Sequence, residues 1–200
     1  AWADCPDAMV LLSQDQALQT WKECARRVQG SGGLSPQRLE DARSRPPIVP
    51  LPAVDEVSSD EARLQWTLSD YGLRAREIKG DGACQFRAVA DQLYGDQGLH
   101  AEVRRRAVAQ LEARPDMYAG FAVGESFGEY VQRMSEPDTW GDNLSLQAIA
   151  DSYDIQVCIM SSFLERRFLC ICPSGGRRPS QQVWLGFYAE YHYTSLEPVR

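Results

Sequence analysis

Histidine is almost missing from this chain of 200 residues: there are two, His100 and His192, so any reaction that needs an imidazole base has only those to draw on. Basic residues are the minority, 21 Lys and Arg against 28 Asp and Glu, and a net charge of -7 would repel a phosphate backbone unless the arginines were gathered on one face. Nucleic acid is therefore not an expected partner. No apolar run approaches the roughly 18 residues of a membrane span. The short stretch Ala8 to Leu12 follows Asp4 and Asp7 rather than a basic leader, so no membrane helix or export signal is visible and a soluble protein is expected. The first residue is Ala1 rather than Met, which leaves an upstream start and a lost targeting segment open. The six cysteines, Cys5, Cys24, Cys84, Cys158, Cys170 and Cys172, show no CxxC spacing. That argues against a zinc or dithiol centre and for free thiols in a reducing compartment.

What is present is enough for a core: 44% of residues are hydrophobic and 24% charged, close to ordinary globular chains. At this length one domain with an appendage is the expectation. Asp7 to Gln29 puts Val10, Leu11, Ala17, Leu18, Trp21, Cys24, Ala25 and Val28 at mixed three- and four-residue spacings, which predicts an amphipathic helix. Pro46, Pro47, Pro50 and Pro52 then mark a linker over about Ser44 to Val57. Residues 1–57 thus read as a helical extension with a Pro-rich linker, and residues 58–200 as the main domain.

Within that domain Ser58, Ser59 or Asp60 is positioned to cap a helix that runs to about Tyr71 and stops at Gly72. Leu73 to Ile78 reads as a short strand. The turn Gly80, Asp81, Gly82 leads into a helix over Cys84 to Tyr94 with Phe86, Val89, Ala90 and Leu93 inward. Leu99 to Ala113 is predicted helical, with Val103, Ala107, Val108 and Leu111 inward and Arg104, Arg105 and Arg106 largely outward on a solvated face. Shorter helices are expected over Phe127 to Met134 and Ser145 to Tyr153. The remainder reads as strands over Ile155 to Met160, Arg167 to Cys172, Val183 to Phe187 and Tyr191 to Leu196, with Gly175 and Gly176 marking a hairpin between the second and third. Helices first and strands late imply an α+β domain.

Chemistry has few places to sit. Cys84 follows Asp81, Gly82 and Ala83 at the amino end of a predicted buried helix, where backbone amides favour a thiolate and could hold an oxyanion. Taken alone, a cysteine at a helix start is more often packing than catalysis. His192 lies far downstream between Tyr191 and Tyr193 on a predicted strand, and a strand beside the Cys84 helix would bring thiol and imidazole together. The alternative is a histidine wedged among aromatics. Cys158, Cys170 and Cys172 alternate with apolar residues, where buried inert thiols are the default.

Three blocks of residues carry a likeness. The run Asp81-Gly82-Ala83-Cys84-Gln85-Phe86-Arg87 and onward to Gly95, the segment Trp140-Gly141-Asp142 with Leu146, Ala148 and Ala150, and the run Glu190-Tyr191-His192-Tyr193-Thr194-Ser195-Leu196 stand in this order. Together they resemble the ovarian tumour (OTU) family of cysteine deubiquitinases, over about Asp60 to Glu197. His100 with Val103 and Arg104 is also similar to the helix after the family's nucleophile helix. The resemblance implies a papain-like cysteine protease of OTU type, α+β, with a small, mostly antiparallel sheet packed between helices. It implies Cys84 as nucleophile, His192 as base and Asp81 as the carboxylate of the site, with the backbone amides of Gly82, Ala83 and Cys84 at the oxyanion. The reaction implied is thiol-dependent hydrolysis of isopeptide bonds at the terminal glycine of ubiquitin, with no metal or organic cofactor. Trp140, Tyr191 and Tyr193 are candidate walls of the channel for ubiquitin's narrow end.

This sequence departs from the family pattern at three positions. Ala83 stands where Asn or Asp is usual, and Gln85 where an apolar residue is commoner. Thr194 replaces the Asn or Asp that in many members orients the histidine, so the orienter is either Asp81 or, more weakly, the Thr194 hydroxyl. The departures motivate two other readings: a ubiquitin-binding module that has lost turnover, and a hydrolase of another ubiquitin-like modifier. A monomeric protein that meets ubiquitin or polyubiquitin chains in the cytoplasm, or also in the nucleus, completes the expectation.

Overall fold

Helix α1 (Asp60–Asp70) begins where the extended residue Ser59 accepts the Ala62 N–H with its side chain, satisfying one of the amides that a helix start leaves open. It ends at Tyr71 and at Gly72, whose φ of 63° turns the chain left-handed into β2 (Leu73–Arg76). These elements come from a computed structural model that describes residues 10–12, 59–163, 168–176, 179–188 and 191–199. Helix α2 (Cys84–Tyr94) follows the 80–83 turn and closes on Gly95 at φ 71°. One 3-10 turn then leads to α3 (His100–Ala113) and the short α4 (Pro115–Tyr118). Reciprocal side-chain caps fix the starts of the next two helices, Ser126 with Glu129 for α5 (Phe127–Ser135) and Asp142 with Ser145 for α6 (Asn143–Tyr153).

The late strands are β3 (Ile155–Ser161), β4 (Phe168–Ile171), β5 (Gln181–Tyr188) and β6 (His192–Pro198). With β1 (Val10–Leu12) they form a sheet of order β1-β4-β3-β5-β6-β2, antiparallel except where β3 runs parallel to β5. Every residue of β3 is buried because helices cover both of its faces. On one face Val157 and Ile159 join Phe86, Val103, Leu111, Met134 and Ile149 in the main core beneath α2, α3, α5 and α6. On the other, Met160 meets Leu64 and Leu68 of α1 with Phe168 and Leu196. The expected class, α+β with a mostly antiparallel sheet between helices, is the one found.

The structure differs from expectation in the chain path at Val10–Leu12 and at Gly175 and Gly176, and in the burial of Arg104 and Arg106. Val10–Leu12 is a strand paired with β4 (Val10 opposite Cys170), not part of a helix; three consecutive apolar residues gain a backbone ladder there that a weak helical period does not outweigh. The rest of the predicted Asp7 to Gln29 helix and the Ser44 to Val57 linker lie outside the described residues. Gly175 and Gly176 do not mark a hairpin, because β3, apolar on both faces, takes the place between β4 and β5. With φ values of 80° and 66° they make a 3-10 turn in the crossing connection instead. Arg104 is buried rather than solvated and Arg106 is half-buried, its guanidinium bonded to the Ser152 carbonyl and set over the Tyr153 ring. Only Arg105 of the three lies outward, bonded to Glu102.

Candidate active site

The turn before α2 is shaped by one carboxylate. Asp81 accepts the Ala83 N–H through Oδ1 (3.0 Å) and receives the Arg87 guanidinium at 2.9 to 3.1 Å, with the Lys79 ammonium at 3.4 Å. The Arg87 hydrogen bonds hold its pKa down at about 2 against the opposing effect of burial. The carbonyl of the same residue accepts the Cys84 N–H (3.1 Å), which sets Cys84 as the first residue of α2.

Cys84 is 6% exposed. Burial pushes its thiol pKa above the ordinary 9.0; the amides of Tyr193, Gln85 and Cys84 itself pull the other way, and the Asp81 charge adds to the rise. The expected lowering by the helix end is thus present but outweighed by desolvation. The pull of the Tyr193 amide on the thiol ties Cys84 to the start of β6, whose first residue is His192.

His192 is half-buried and stacks on the Tyr188 ring, centroids 6.0 Å apart. Burial lowers its pKa below 6.5, with the Asp81 charge acting in the opposite sense. A cleft of about 590 Å³ opens here, lined by Ile78, Gly80, Asp81, Gly82, Trp140, Tyr191 and His192. Trp140 and Tyr191 stand at it half exposed, at 56% and 51%.

The other expected site residues take different positions. Tyr193 does not line the cleft: it is 8% exposed, packs on Phe187 at 4.5 Å and belongs to the core, so what it turns toward the thiol is its backbone amide. Thr194 is buried and donates its hydroxyl proton to the Arg76 carbonyl. Asp81 is engaged by Arg87 and the loop. Of the amides expected at the oxyanion, those of Ala83 and Cys84 are bonded to Asp81, and that of Gly82 makes no hydrogen bond to a described residue. His100, on α3, has its Nδ1 buried without a hydrogen-bond partner among the described residues, and burial lowers its pKa.

Several residues play supporting roles that the sequence alone does not predict. Gln85, 1% exposed, accepts from Ser145 Oγ (2.8 Å) and donates to the Asp142 carbonyl (3.2 Å), tying α2 to the start of α6. That accounts for a polar residue at this position. A Cβ on Gly141 would lie 2.0 Å from Gln85 Oε1, and one on Gly82 only 1.8 Å from the Asp138 carbonyl oxygen, so the Trp140 segment and the nucleophile loop touch where only glycines fit. Gln92, two turns along α2, bonds Ser195 Oγ, the Leu196 carbonyl and the Trp184 N–H, joining the nucleophile helix to β6 and β5. Its place eight residues after Cys84, facing the predicted strands, was the available signal.

The family model described as OTU-like cysteine protease matches residues 79–193. The chain belongs to that family. It is 32% identical over 187 residues to the ovarian tumor domain-containing deubiquitinating enzyme 11 of Arabidopsis thaliana, covering 93% of this chain and 72% of that one. With the corresponding enzyme 10 of Arabidopsis thaliana it shares 38% over 146 residues, 73% of this chain but 40% of the other. The chain therefore spans less than half the length of some curated relatives. Among solved structures the OTU domain of OTUD1 aligns with a TM-score of 0.61 over 70% of this chain and 95% of that one, at 22% identity. An OTU domain solved in complex with ubiquitin aligns with a TM-score of 0.52 over 66% of this chain and 69% of that one, at 15% identity. Both likenesses show the fold.

Proposed function

We propose that the protein is a cysteine deubiquitinase that hydrolyses isopeptide bonds at the terminal glycine of ubiquitin. The observation that carries this reading is a cleft lined both by Gly80, Asp81 and Gly82, the loop that leads into the helix-start thiol Cys84, and by His192. Relatives named as deubiquitinating enzymes, and an OTU domain solved with ubiquitin, support ubiquitin as the substrate.

In this reading ubiquitin's glycine-rich end lies in the cleft between the Gly80–Gly82 loop and His192, with Trp140 and Tyr191 as walls. His192 takes the Cys84 proton, the thiolate attacks the carbonyl, and the Gly82 amide, the one of the three not bonded to Asp81, receives the oxyanion. The imidazolium protonates the departing lysine amine, and water, deprotonated by His192, releases the acyl group. Asp81 serves by bracing the loop against Arg87, and no metal or organic cofactor takes part. Residues 58–200 act as the catalytic unit of a monomer in the cytoplasm, or also in the nucleus, with residues 1–57 as an extension.

One observation favours a second reading, a binding module without turnover: the resting thiol and imidazole are both uncharged, and His192 has no hydrogen-bonded orienter among the described residues. Ubiquitin carrying an electrophilic C-terminus separates the two. Covalent capture by the wild-type chain, absent in Cys84→Ala, is expected. Binding of ubiquitin without capture would support the module, and preferential capture by a probe built on another ubiquitin-like protein would move the substrate.

A further inference from the structure

The nucleophile loop and the segment that carries Trp140 come from distant parts of the chain, yet one buried side chain holds both. Arg104 of α3 is 4% exposed. Its Nη2 donates to the carbonyls of Thr139 (2.7 Å), Pro137 (2.9 Å) and, more loosely, Gly82 (3.4 Å), while Nη1 donates to the carbonyl of Met134 (3.1 Å) at the end of α5. The guanidinium carbon lies 4.0 Å from the centre of the Phe86 ring, two residues past Cys84 on α2.

We propose that Arg104 is a positioning residue that locks the nucleophile loop and the Trp140 segment into one unit and so sets the cleft from behind. Among the described residues no carboxylate bonds this buried cation; Asp138 and Asp81 act on it through their fields. An apolar side chain would fill the same space without the desolvation cost of a charge. What it could not do is hold four carbonyls in set directions, which suits a planar guanidinium with five donors and not a lysine with three on a flexible stem.

The consequence falls on one peptide unit. The carbonyl of Gly82 faces Arg104 while the N–H of the same unit, that of Ala83, is bonded to the Asp81 carboxylate. Opposite charges thus grip its two ends and fix which way it faces. Gly82 is also pressed against the Asp138 carbonyl, so its loop and the 137–139 turn move together or not at all. Thr139 immediately precedes Trp140, and hence the same guanidinium sets the loop at the floor of the cleft and the indole at its wall.

The inference rests on the hydrolytic reading of this cleft, and its test has an arm that does not. In the full chain, kcat and KM are measured on ubiquitin with a fluorogenic C-terminal amide for Arg104→Met, Arg104→Lys and the exposed control Arg105→Ala, each first shown folded by circular dichroism and thermal unfolding. Arg104→Met should lose at least about tenfold in kcat and raise KM at least about threefold, Arg104→Lys should recover part of both, and Arg105→Ala should stay within about twofold of wild type. In Arg104→Lys the Gly82 amide and the Trp140 indole resonances should shift together. A folded Arg104→Met with both constants within twofold of wild type, or a shift of one resonance without the other, overturns the proposal. If Arg104→Met does not fold, Arg104→Lys decides by the same two criteria. A wild-type chain inactive on ubiquitin amide would sink the hydrolytic reading alone, leaving the paired resonances to decide the coupling.

Discussion

Cys84 follows the loop that lines the cleft and His192 lines it directly, but their surroundings are unlike. Behind Cys84, Asp81 grips Arg87 and the loop, Gln85 holds Ser145 and Asp142, and Arg104 gathers four carbonyls. Around His192 the contacts are a stacked Tyr188 ring and a half-exposed Tyr191, with no hydrogen bond to the imidazole from a described residue. Polar buttresses surround the nucleophile, whereas the base is carried by its strand and stacked on Tyr188. The thiol is raised and the imidazole lowered, so the pair rests uncharged and its activation falls to whatever fills the cleft.

The comparison breaks hardest at the pair itself. Cys84→Ala and His192→Ala should each lower ubiquitin-chain cleavage by about a thousandfold or more, while His100→Ala, if folded, should stay within about fivefold. A dead His100→Ala beside an active His192→Ala would reverse the pairing.

Next comes the buttress. Arg87→Ala and Asp81→Ala should cost turnover alike, about ten- to a hundredfold, because the carboxylate works through the loop; a harmless Arg87→Ala beside a crippled Asp81→Ala would instead make Asp81 the orienter of His192. The pH dependence gives a second measure. With its folded pKa at about 2 and an ordinary value of 3.8, Asp81 adds stability that is fully present above about pH 4 and is lost as pH falls through 2. Allowing for solvent at this partly exposed pair, that is on the order of 1–2 kcal/mol. The gap in urea unfolding between wild type and Asp81→Asn should therefore narrow between pH 7 and pH 2.

The resting charge state sharpens the contrast further. A lowered imidazole pKa puts the acid limb of kcat/KM below pH 6.5, since the base stays neutral until that point. A raised thiol pKa puts the midpoint for alkylation of Cys84 by iodoacetamide above pH 9. A midpoint below 7 would mean a preformed thiolate–imidazolium pair. The smallest effect is expected at Thr194, whose hydroxyl serves Arg76: Thr194→Val should cost about 1–3 kcal/mol of stability by leaving that carbonyl unbonded, with kcat changed only a few-fold in the folded protein.

Local chemistry made much of this legible. The Ser59 cap, the full extent of α2 and the inward face of α3 follow from capping and period, and the histidine strand from alternation. Arg104 is buried although its charge argues for solvent: its spacing to Val108 and Leu111 puts it on the inward face, but the carbonyls that receive it come from residues more than 20 away in sequence. Sheet order escaped for a similar reason. Whether β5 pairs with β4 or β3 depends on which strand is covered on both faces, and that is settled only when α1 and the other helices have packed. Tyr193 shows the limit of alternation: the strand places its ring in the core and leaves only its amide for the thiol.

The three-residue pairing of β1 with β4 bears on how the protein is best handled. Val10–Leu12 occupies the flank of β4 opposite β3. Cutting the chain at residue 58 to isolate the catalytic unit would strip that flank and leave a row of bare N–H and C=O groups on an outer strand, a template for adding a foreign strand or a second copy. Such a shortened protein should self-associate with rising concentration while keeping its cleft, and a peptide carrying residues 10–12 supplied in trans should return it to a single copy.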